Sequence, residues 1–213
     1  MKRVAVITGG HCFDVPNFHK LFKSFDGMDI TIQHIDDFCS SPKDVRQGYD
    51  VVVFYIMMLD GPKDEGTPWY AGKPATALAE LGETKQGIVV LHHAILAYPQ
   101  WDAWQQLVGI SDRTFGYHIG ETVKAQVVAP EHPITKGVGN WTMIDETYSM
   151  ADTGSDSEVL ITYDHPKSMK TIAWTRTYRN SRVFCYEAGH DNRTWVDPNF
   201  RQVLKNGICW AAE

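Results

Sequence analysis

The chain has 213 residues, of which 43% are hydrophobic and 22% charged, values typical of a globular protein with a buried core. The net charge is −6 and no basic run occurs, which disfavours nucleic acid as a partner. No apolar run reaches the roughly 18 residues that a membrane helix needs, and the N-terminus is too short for a signal-peptide core. We therefore expect a cytoplasmic protein with no membrane partner, four free cysteines and a single domain over 1–213.

The first half of the chain alternates between strand and helix patterns. Four short aliphatic runs predict strands buried on both faces of a parallel sheet: 4–7, 30–32, 51–56 and 88–91. Helical spacing predicts helices over 15–25 and 75–86, with Gly87 as the stop of the second helix. Residues 36–46 are expected to be irregular apart from a short helix after Pro42, and 59–74 to form a long loop of the kind that is often functional. This alternation predicts an α/β fold with right-handed crossovers.

The stretch 87–94 joins the last of these strands to a turn that carries His92 and His93. Apolar positions 101, 104, 107 and 108 then predict a helix within 98–108. Strand, turn and helix also make up a nucleophile elbow, but this turn offers imidazoles and no Ser or Cys. Ligands of open α/β sheets bind beyond the carboxyl ends of the strands, where these histidines fall.

The second half is predicted to contain more strand than helix. Residues 122–128 alternate as an exposed strand does, and an unpaired strand invites pairing, so this segment is a candidate edge for a homo-oligomer. Three further strands are predicted at 159–162, 171–174 and 182–186. A C-terminal helix is expected to begin with Asp197 as its N-cap and Pro198 in its first position.

Three histidines follow predicted strand ends: His11, His92 and His190. We expect them to converge, because the carboxyl ends of parallel strands share one edge of the sheet. His118 and Glu146 are candidates to complete the same site. Imidazoles with one carboxylate suit zinc or a similar transition ion better than Mg²⁺. The predicted metal ligands are His11, His92, His118 and His190; for any one of them, a hydrogen-bonded loop residue is the alternative.

Proton transfer near neutral pH is the other chemistry that imidazole supplies. The predicted catalytic residues are His92, His190, Glu146 and Asp191. The predicted substrate contacts are Trp69, Tyr98, Trp101 and His93. Aromatic faces beside polar groups suit a sugar, although packing in the core is an equal alternative for them. The turn at Gly9 and Gly10 lacks the GxGxxG spacing, so no nucleotide cofactor is expected.

Nine motifs cover nearly the whole chain: TGGH (8–11), GIVVLHHA (87–94), FGYH (115–118), HPITKG (132–137), DETY (145–148), AWTR (173–176), RVF (182–184), GHD (189–191) and GICWAA (207–212). Taken together and in this order, they resemble the ThuA-like family, named for trehalose utilisation, which shares the class I glutamine amidotransferase-like fold. The resemblance implies a flavodoxin-like three-layer sandwich with a mainly parallel central sheet. Amidotransferases of this fold carry a cysteine at the elbow, where this chain has His92, so glutaminase chemistry is not expected.

The resemblance also implies a role in sugar metabolism, on a sugar or an oxidised (3-keto) sugar or glycoside. We therefore expect a metal-dependent hydrolase, lyase or isomerase whose ligand is a small-molecule carbohydrate bound at the carboxyl ends of the strands. His190 falls roughly where the fold places its catalytic histidine, which favours His92 and His190 as neighbours. The alternative is a non-catalytic sugar-binding or interaction protein on a degenerate amidotransferase scaffold.

Overall fold

A computed structural model describes residues 1–213. The strands are β1 (Lys2–Gly9), β2 (Met28–His34), β3 (Val51–Ile56), β4 (Gly87–Leu91), β5 (Gly116–Val127), β6 (Trp141–Ser149), β7 (Glu158–Tyr163), β8 (Thr171–Tyr178) and β9 (Ser181–Tyr186). The helices are α1 (Val15–Lys23), α2 (Ile35–Ser40), α3 (Lys43–Gln47), α4 (Pro74–Ala79), α5 (Asp102–Val108), α6 (Asn192–Trp195) and α7 (Pro198–Ala211). Single turns of 3₁₀ helix lie at Trp69–Ala71 and His92–Leu96.

All nine strands form one sheet in the order β2-β1-β3-β4-β9-β8-β7-β5-β6. Four neighbouring pairs are parallel, from β2 to β9, and the other four are antiparallel. The expected mainly parallel sheet is therefore wrong, and the sheet is mixed. The cause is visible between β8 and β9, where only Arg179 and Asn180 connect the strands, and so short a connection allows only antiparallel pairing.

Helices cover both faces of the parallel half. On β3, the ring of Phe54 packs against Phe38 of α2 and Trp104 of α5. The next residue, Tyr55, packs instead against Phe18 of α1 and Trp195 of α6. Successive side chains of a strand point to opposite faces, so these two groups of helices lie on opposite sides and the fold has three layers.

The strands β5 and β6 form a ribbon that extends beyond the rest of the sheet. Only Ala125–Val127 of β5 pair with β7, whereas most of β5 pairs with β6 alone. The strand predicted at 122–128 is thus part of a longer strand, in which 125–127 pair with β7 and 122–124 pair with β6 alone. The homo-oligomer edge expected at 122–128 stays a prediction. The sequence patterns missed β6 altogether.

Several predicted elements differ in extent from the observed ones. Residues 36–46, expected to be mostly irregular, lie largely in α2 and α3, while the helix predicted at 75–86 is the short α4. Gly87 does not stop a helix: it is the first residue of β4. A Cβ atom there would collide with the carbonyl oxygen of Ala211 at the end of α7, and would lie 2.8 Å from the Ala211 Cβ. Gly87 is needed because strand and helix approach each other closely.

The C-terminal helix is confirmed. The Asp197 carboxylate accepts hydrogen bonds from the backbone N–H groups of Asn199 and Phe200, as an N-cap does. The four cysteines are free, as predicted. With 14 residues α7 is the longest helix, and no helix has both the length and the hydrophobicity of a membrane span.

We predict that Gly87→Ala destabilises the protein by about 1–3 kcal/mol, because the added methyl group must displace the end of α7. Gly139→Ala is the matched control, since a Cβ there meets nothing within 4 Å and the cost should stay within about 0.5 kcal/mol. Urea unfolding of both variants measures the difference. Equal midpoints would show that the approach of β4 to α7 imposes no constraint at Gly87.

Candidate metal centre and its cavity

His92 lies at the turn between β4 and the following 3₁₀ turn. Its φ is 53°, in the left-handed region that a residue with a Cβ rarely adopts. Such a conformation costs about 1–3 kcal/mol and persists only where the surroundings enforce it. The elbow inferred from the sequence is therefore present, with an imidazole at its tip.

Arg113 holds the segment that follows this elbow. Its guanidinium group is buried and donates hydrogen bonds to the carbonyl oxygens of Ile95, Ala97 and Tyr98. Burial lowers the pKa of Arg113 to about 10, which still leaves the group charged at neutral pH. Three carbonyl oxygens thus accept the hydrogen bonds that a carboxylate would otherwise accept from Arg113. These bonds fix the backbone of residues 95–98.

The tautomer of His92 is set by the neighbouring strand. Its Nδ1 lies 2.6 Å from the backbone carbonyl oxygen of Glu187, just past the end of β9. A carbonyl oxygen only accepts, so Nδ1 carries the proton and donates it. In the neutral ring, Nε2 therefore presents a lone pair to whatever it faces.

His92 Nε2 faces one carboxylate and one further imidazole. It lies 3.1 Å from Glu146 Oε2 and 3.2 Å from His190 Nδ1. His190 Nδ1 in turn lies 3.2 Å from Glu146 Oε2. The three atoms therefore form a nearly equilateral triangle, and they are the one group of three or more His, Cys, Asp or Glu side chains in this structure that could hold a metal ion.

Tyr148 supports the carboxylate of this group. Its hydroxyl donates to Glu146 Oε2 at 2.8 Å and lies 2.9 Å from His92 Nε2. Burial raises the pKa of Tyr148 well above its usual value, so the hydroxyl keeps its proton. Glu146 and Tyr148 are two residues apart on β6 and hence point to the same face.

A buried carboxylate fixes the backbone around the group. Asp145 Oδ1 accepts hydrogen bonds from the N–H groups of Glu146 at 2.9 Å and His190 at 3.0 Å. Its Oδ2 accepts from the N–H of Gly189 at 2.8 Å. Asp145 therefore joins β6 to the segment after β9, and this link places Glu146 beside His190.

The charges in the group are unequal. Burial acts to raise the pKa of Glu146, but the contacts with the His190 and His92 rings outweigh burial and hold that pKa well below the usual value. The hydrogen bond with Glu146 raises the pKa of His190. Burial lowers the pKa of His11. The metal-free site therefore combines an anionic carboxylate with His190, which favours its charged form, and His11, which favours its neutral form.

His11 and His93 lie beside the group without belonging to it. Their ring centroids are 4.6 Å apart, and His11 lies 6.2 Å from His190 by the same measure. His93 is buried and donates from Nδ1 to the carbonyl oxygen of Ile56 at 3.0 Å. Burial lowers its pKa well below the usual value. His93 is thus a neutral interior ring behind the site.

The group opens into a cavity of about 320 Å³, at the lower end of the range for small-molecule sites. Its lining residues are His11, Met57, Phe115, Tyr117, Ile119, Glu146, Tyr148 and His190. The cavity lies beyond the carboxyl ends of the parallel strands, where ligands bind in α/β sheets.

The structure separates other predicted site residues from this cavity. His118 faces Ser149 Oγ at 2.8 Å, and Asp191 pairs with Arg193 at 2.6 Å. Trp69 is 93% exposed, in the loop after β3. Tyr98 is buried and borders a different cavity, of about 280 Å³, beside that loop, and Trp101 packs against Tyr98.

Sequence reasoning missed the parts played by Tyr148, Asp145 and Glu187. The signal for Tyr148 was available, because it follows Glu146 by two positions and would share its face on a strand. Asp145 and Glu187 act through backbone groups of other segments. No spacing in the sequence reveals such contacts.

Together, the fold and site define an α/β protein with a mixed nine-stranded sheet, a histidine at the elbow and a His-Glu-His group in front of it. The family model described as "ThuA: Trehalose utilisation" matches residues 5–211. The chain therefore belongs to the ThuA family, which indicates a carbohydrate-related role. A comparison with curated proteins gave no match.

Solved structures support this fold. A ThuA-like protein of Parabacteroides merdae matches 99% of this chain and 90% of its own, with 19% identity and a TM-score of 0.73. A cytoplasmic protein of Salmonella typhimurium matches 98% of each chain, with 13% identity and a TM-score of 0.70. PurLQS of Thermotoga maritima matches 99% of each, with 14% identity and a TM-score of 0.60. At these identities the likeness concerns the fold alone, and it confirms the expected amidotransferase-like architecture.

We predict that Asp145→Asn destabilises the protein by about 1–3 kcal/mol. An amide offers one acceptor atom where the carboxylate offers two, so at least one of three N–H groups loses its partner. Asp152→Asn is the control, because Asp152 is exposed and accepts only the Thr171 N–H, through Oδ1. Thermal unfolding compares the two. An Asp145→Asn protein as stable as the control would mean that Asp145 does not hold β6 to residues 189–190.

Proposed function

We propose that this protein is a metal-dependent enzyme of carbohydrate metabolism, with a divalent transition ion bound by His92, Glu146 and His190. The observation that carries the proposal is the triangle of His92 Nε2, Glu146 Oε2 and His190 Nδ1, with sides of 3.1–3.2 Å. The substrate is a sugar or an oxidised (3-keto) sugar or glycoside in the adjoining cavity.

The donor atoms fit such an ion in kind and in spacing. Zinc bonds to imidazole nitrogen and carboxylate oxygen are about 2.0–2.2 Å long, which places neighbouring ligand atoms about 3.3 Å apart in a tetrahedral site and about 2.9 Å apart in an octahedral one. The observed distances lie between these values. Two histidines and one carboxylate with open positions are the ligands of catalytic zinc and of non-haem Fe(II).

The second contacts of two of the three ligands, His92 and Glu146, also support the proposal. Ligating histidines usually donate their other N–H to a carbonyl or carboxylate, as His92 does to the Glu187 carbonyl oxygen. Tyr148 orients the Glu146 carboxylate in the same way. These two contacts point the lone pairs of His92 and Glu146 toward one place before any ion arrives.

When bound, a divalent ion would act as a Lewis acid toward a substrate oxygen. The chain's own residues supply the remaining chemistry. His11 lines the cavity and favours its neutral form, so one of its ring nitrogens accepts a proton from the carbon beside a keto group or from a hydroxyl. Isomerisation and elimination of a glycosidic group are both compatible with this arrangement.

Convergence of ionisable groups favours an enzyme over a binding protein. Glu146, His190 and His11 have pKa values shifted in different directions within one cavity, and such shifts cluster at catalytic sites. A sugar-binding protein needs hydrogen-bond partners but no such set of acid, base and ligand atoms. The absence of a cysteine from the elbow argues against glutaminase chemistry.

We predict that the metal-free protein binds one equivalent of Zn²⁺ and that His190→Ala weakens the affinity at least about 100-fold. Loss of an outer contact alone costs 10–100-fold, and a ligand should cost more. Calorimetric titration measures both values. His118→Ala is the matched control, since His118 contacts Ser149 instead of the group, and its affinity should equal that of the wild type. Equal losses in both variants, or no stoichiometric binding by the wild type, would contradict the proposed site.

A second prediction concerns turnover. With zinc bound, His11→Asn should slow conversion of a 3-keto glucoside by about 10²–10⁴-fold, the usual contribution of a general base, while zinc affinity stays the same. Proton NMR of the reaction mixture follows the products. Saturable binding without turnover, across oxidised and ordinary glycosides and with zinc or iron supplied, would instead favour the sugar-binding alternative.

A further inference from the structure

The cavity in front of the His-Glu-His group has two chemically different parts. Its floor is polar and consists of His11, Glu146, Tyr148 and His190. Its outer wall consists of Met57, Phe115, Tyr117 and Ile119. Apart from the Tyr117 hydroxyl, the side chains of this outer wall have no group that forms a strong hydrogen bond.

Two residues of the outer wall are largely exposed to solvent and do not contribute to the hydrophobic core. Tyr117 is 62% exposed and Ile119 57% exposed, so neither belongs to the core. Both lie on β5 on either side of His118, and both side chains line the same cavity, next to a register shift of the β5–β6 ladder between His118 and Glu121. Tyr117 is the register partner of Tyr148 on β6, which places this face beside the floor. Exposed apolar side chains that are grouped at a cavity are a mark of ligand-binding grooves.

We infer that the substrate is a glycoside with an aromatic or similarly apolar aglycone, which lies against Met57, Phe115, Tyr117 and Ile119 while its sugar ring contacts the floor. This inference rests on the proposed function, because it places the sugar at the candidate metal group. It separates such glycosides from disaccharides such as trehalose, whose second ring would have to occupy the outer wall.

The physical reason is the difference between burying a hydroxyl and burying a hydrocarbon. A sugar hydroxyl that leaves water without finding a hydrogen-bond partner costs binding free energy. A second sugar ring carries several hydroxyls, and the side chains of this wall offer only the Tyr117 hydroxyl as a partner. An aromatic ring gains free energy in proportion to the apolar area that it removes from water. Stacking on the rings of Phe115 and Tyr117 adds to that gain. The wall therefore selects for an apolar group and against a second polar ring.

The test is calorimetric titration of the zinc-loaded full chain with trehalose and with methyl and phenyl glucosides of both anomers. In the preferred anomer, the phenyl glucoside should bind about tenfold more tightly than the methyl glucoside and than trehalose. The double variant Tyr117→Ser/Ile119→Ser should lose this advantage and keep the methyl glucoside affinity. Because both side chains are exposed, the variant should fold normally. Ile144→Ser is the matched control, since Ile144 is 40% exposed on β6 and does not line the cavity.

Trehalose binding as tight as phenyl glucoside binding would overturn the inference. So would a phenyl advantage that persists in the double variant or disappears in the control, and so would a failure of every probe to bind. Titration of the same samples with Zn²⁺ tests the proposed metal centre separately from the aglycone preference. A phenyl preference that depends on Tyr117 and Ile119 in a protein without stoichiometric zinc supports the inference and contradicts only the metal centre.

Discussion

The hydrogen bond from His92 Nδ1 to the carbonyl oxygen of Glu187 is the contact on which the site depends. It exists because β4 and β9 are parallel neighbours with Leu91 opposite Tyr186, so the residues that follow them lie side by side. It is short, at 2.6 Å, and buried, and it fixes both the ring orientation and the tautomer. Nε2 of the same ring then faces Glu146 Oε2 and His190 Nδ1.

The other half of the site comes from the antiparallel half of the sheet. The ribbon of β5 and β6 extends past β7 and brings Glu146 and Tyr148 to the carboxyl ends of β4 and β9. Two buried carboxyl groups hold it there: Asp145 binds the backbone of residues 189 and 190, and Glu187 Oε1 accepts the Tyr148 N–H at 3.1 Å. Burial raises the pKa of Glu187 well above its usual value, so this second contact is made by a group that favours its neutral form. The mixed sheet is therefore the feature that completes the group of three ligand atoms.

Local patterns were sufficient for the strands of the parallel half, although not for its helices α2 and α4. Aliphatic runs identified β1, β3 and β4, and the shared edge of parallel strands predicted that His11, His92 and His190 would come close together. They were insufficient for β6, because the apolar alternation of Trp141, Thr142 and Met143 is too short to mark a strand and the DETY that follows does not continue it. His118 was predicted as a site residue, but local patterns could not show which face of its strand it occupies. It lies one position from Tyr117, and a single step along a strand reverses the face. Its register against β6, and not its residue type, turns it toward Ser149.

Anomalous diffraction at the zinc absorption edge, from crystals of the zinc-loaded protein grown without chelators, tests the central claim most directly. The account predicts one strong peak about 2.0–2.2 Å from each of His92 Nε2, Glu146 Oε2 and His190 Nδ1. A peak at His118 or at a cysteine, or none beside His92, would contradict it.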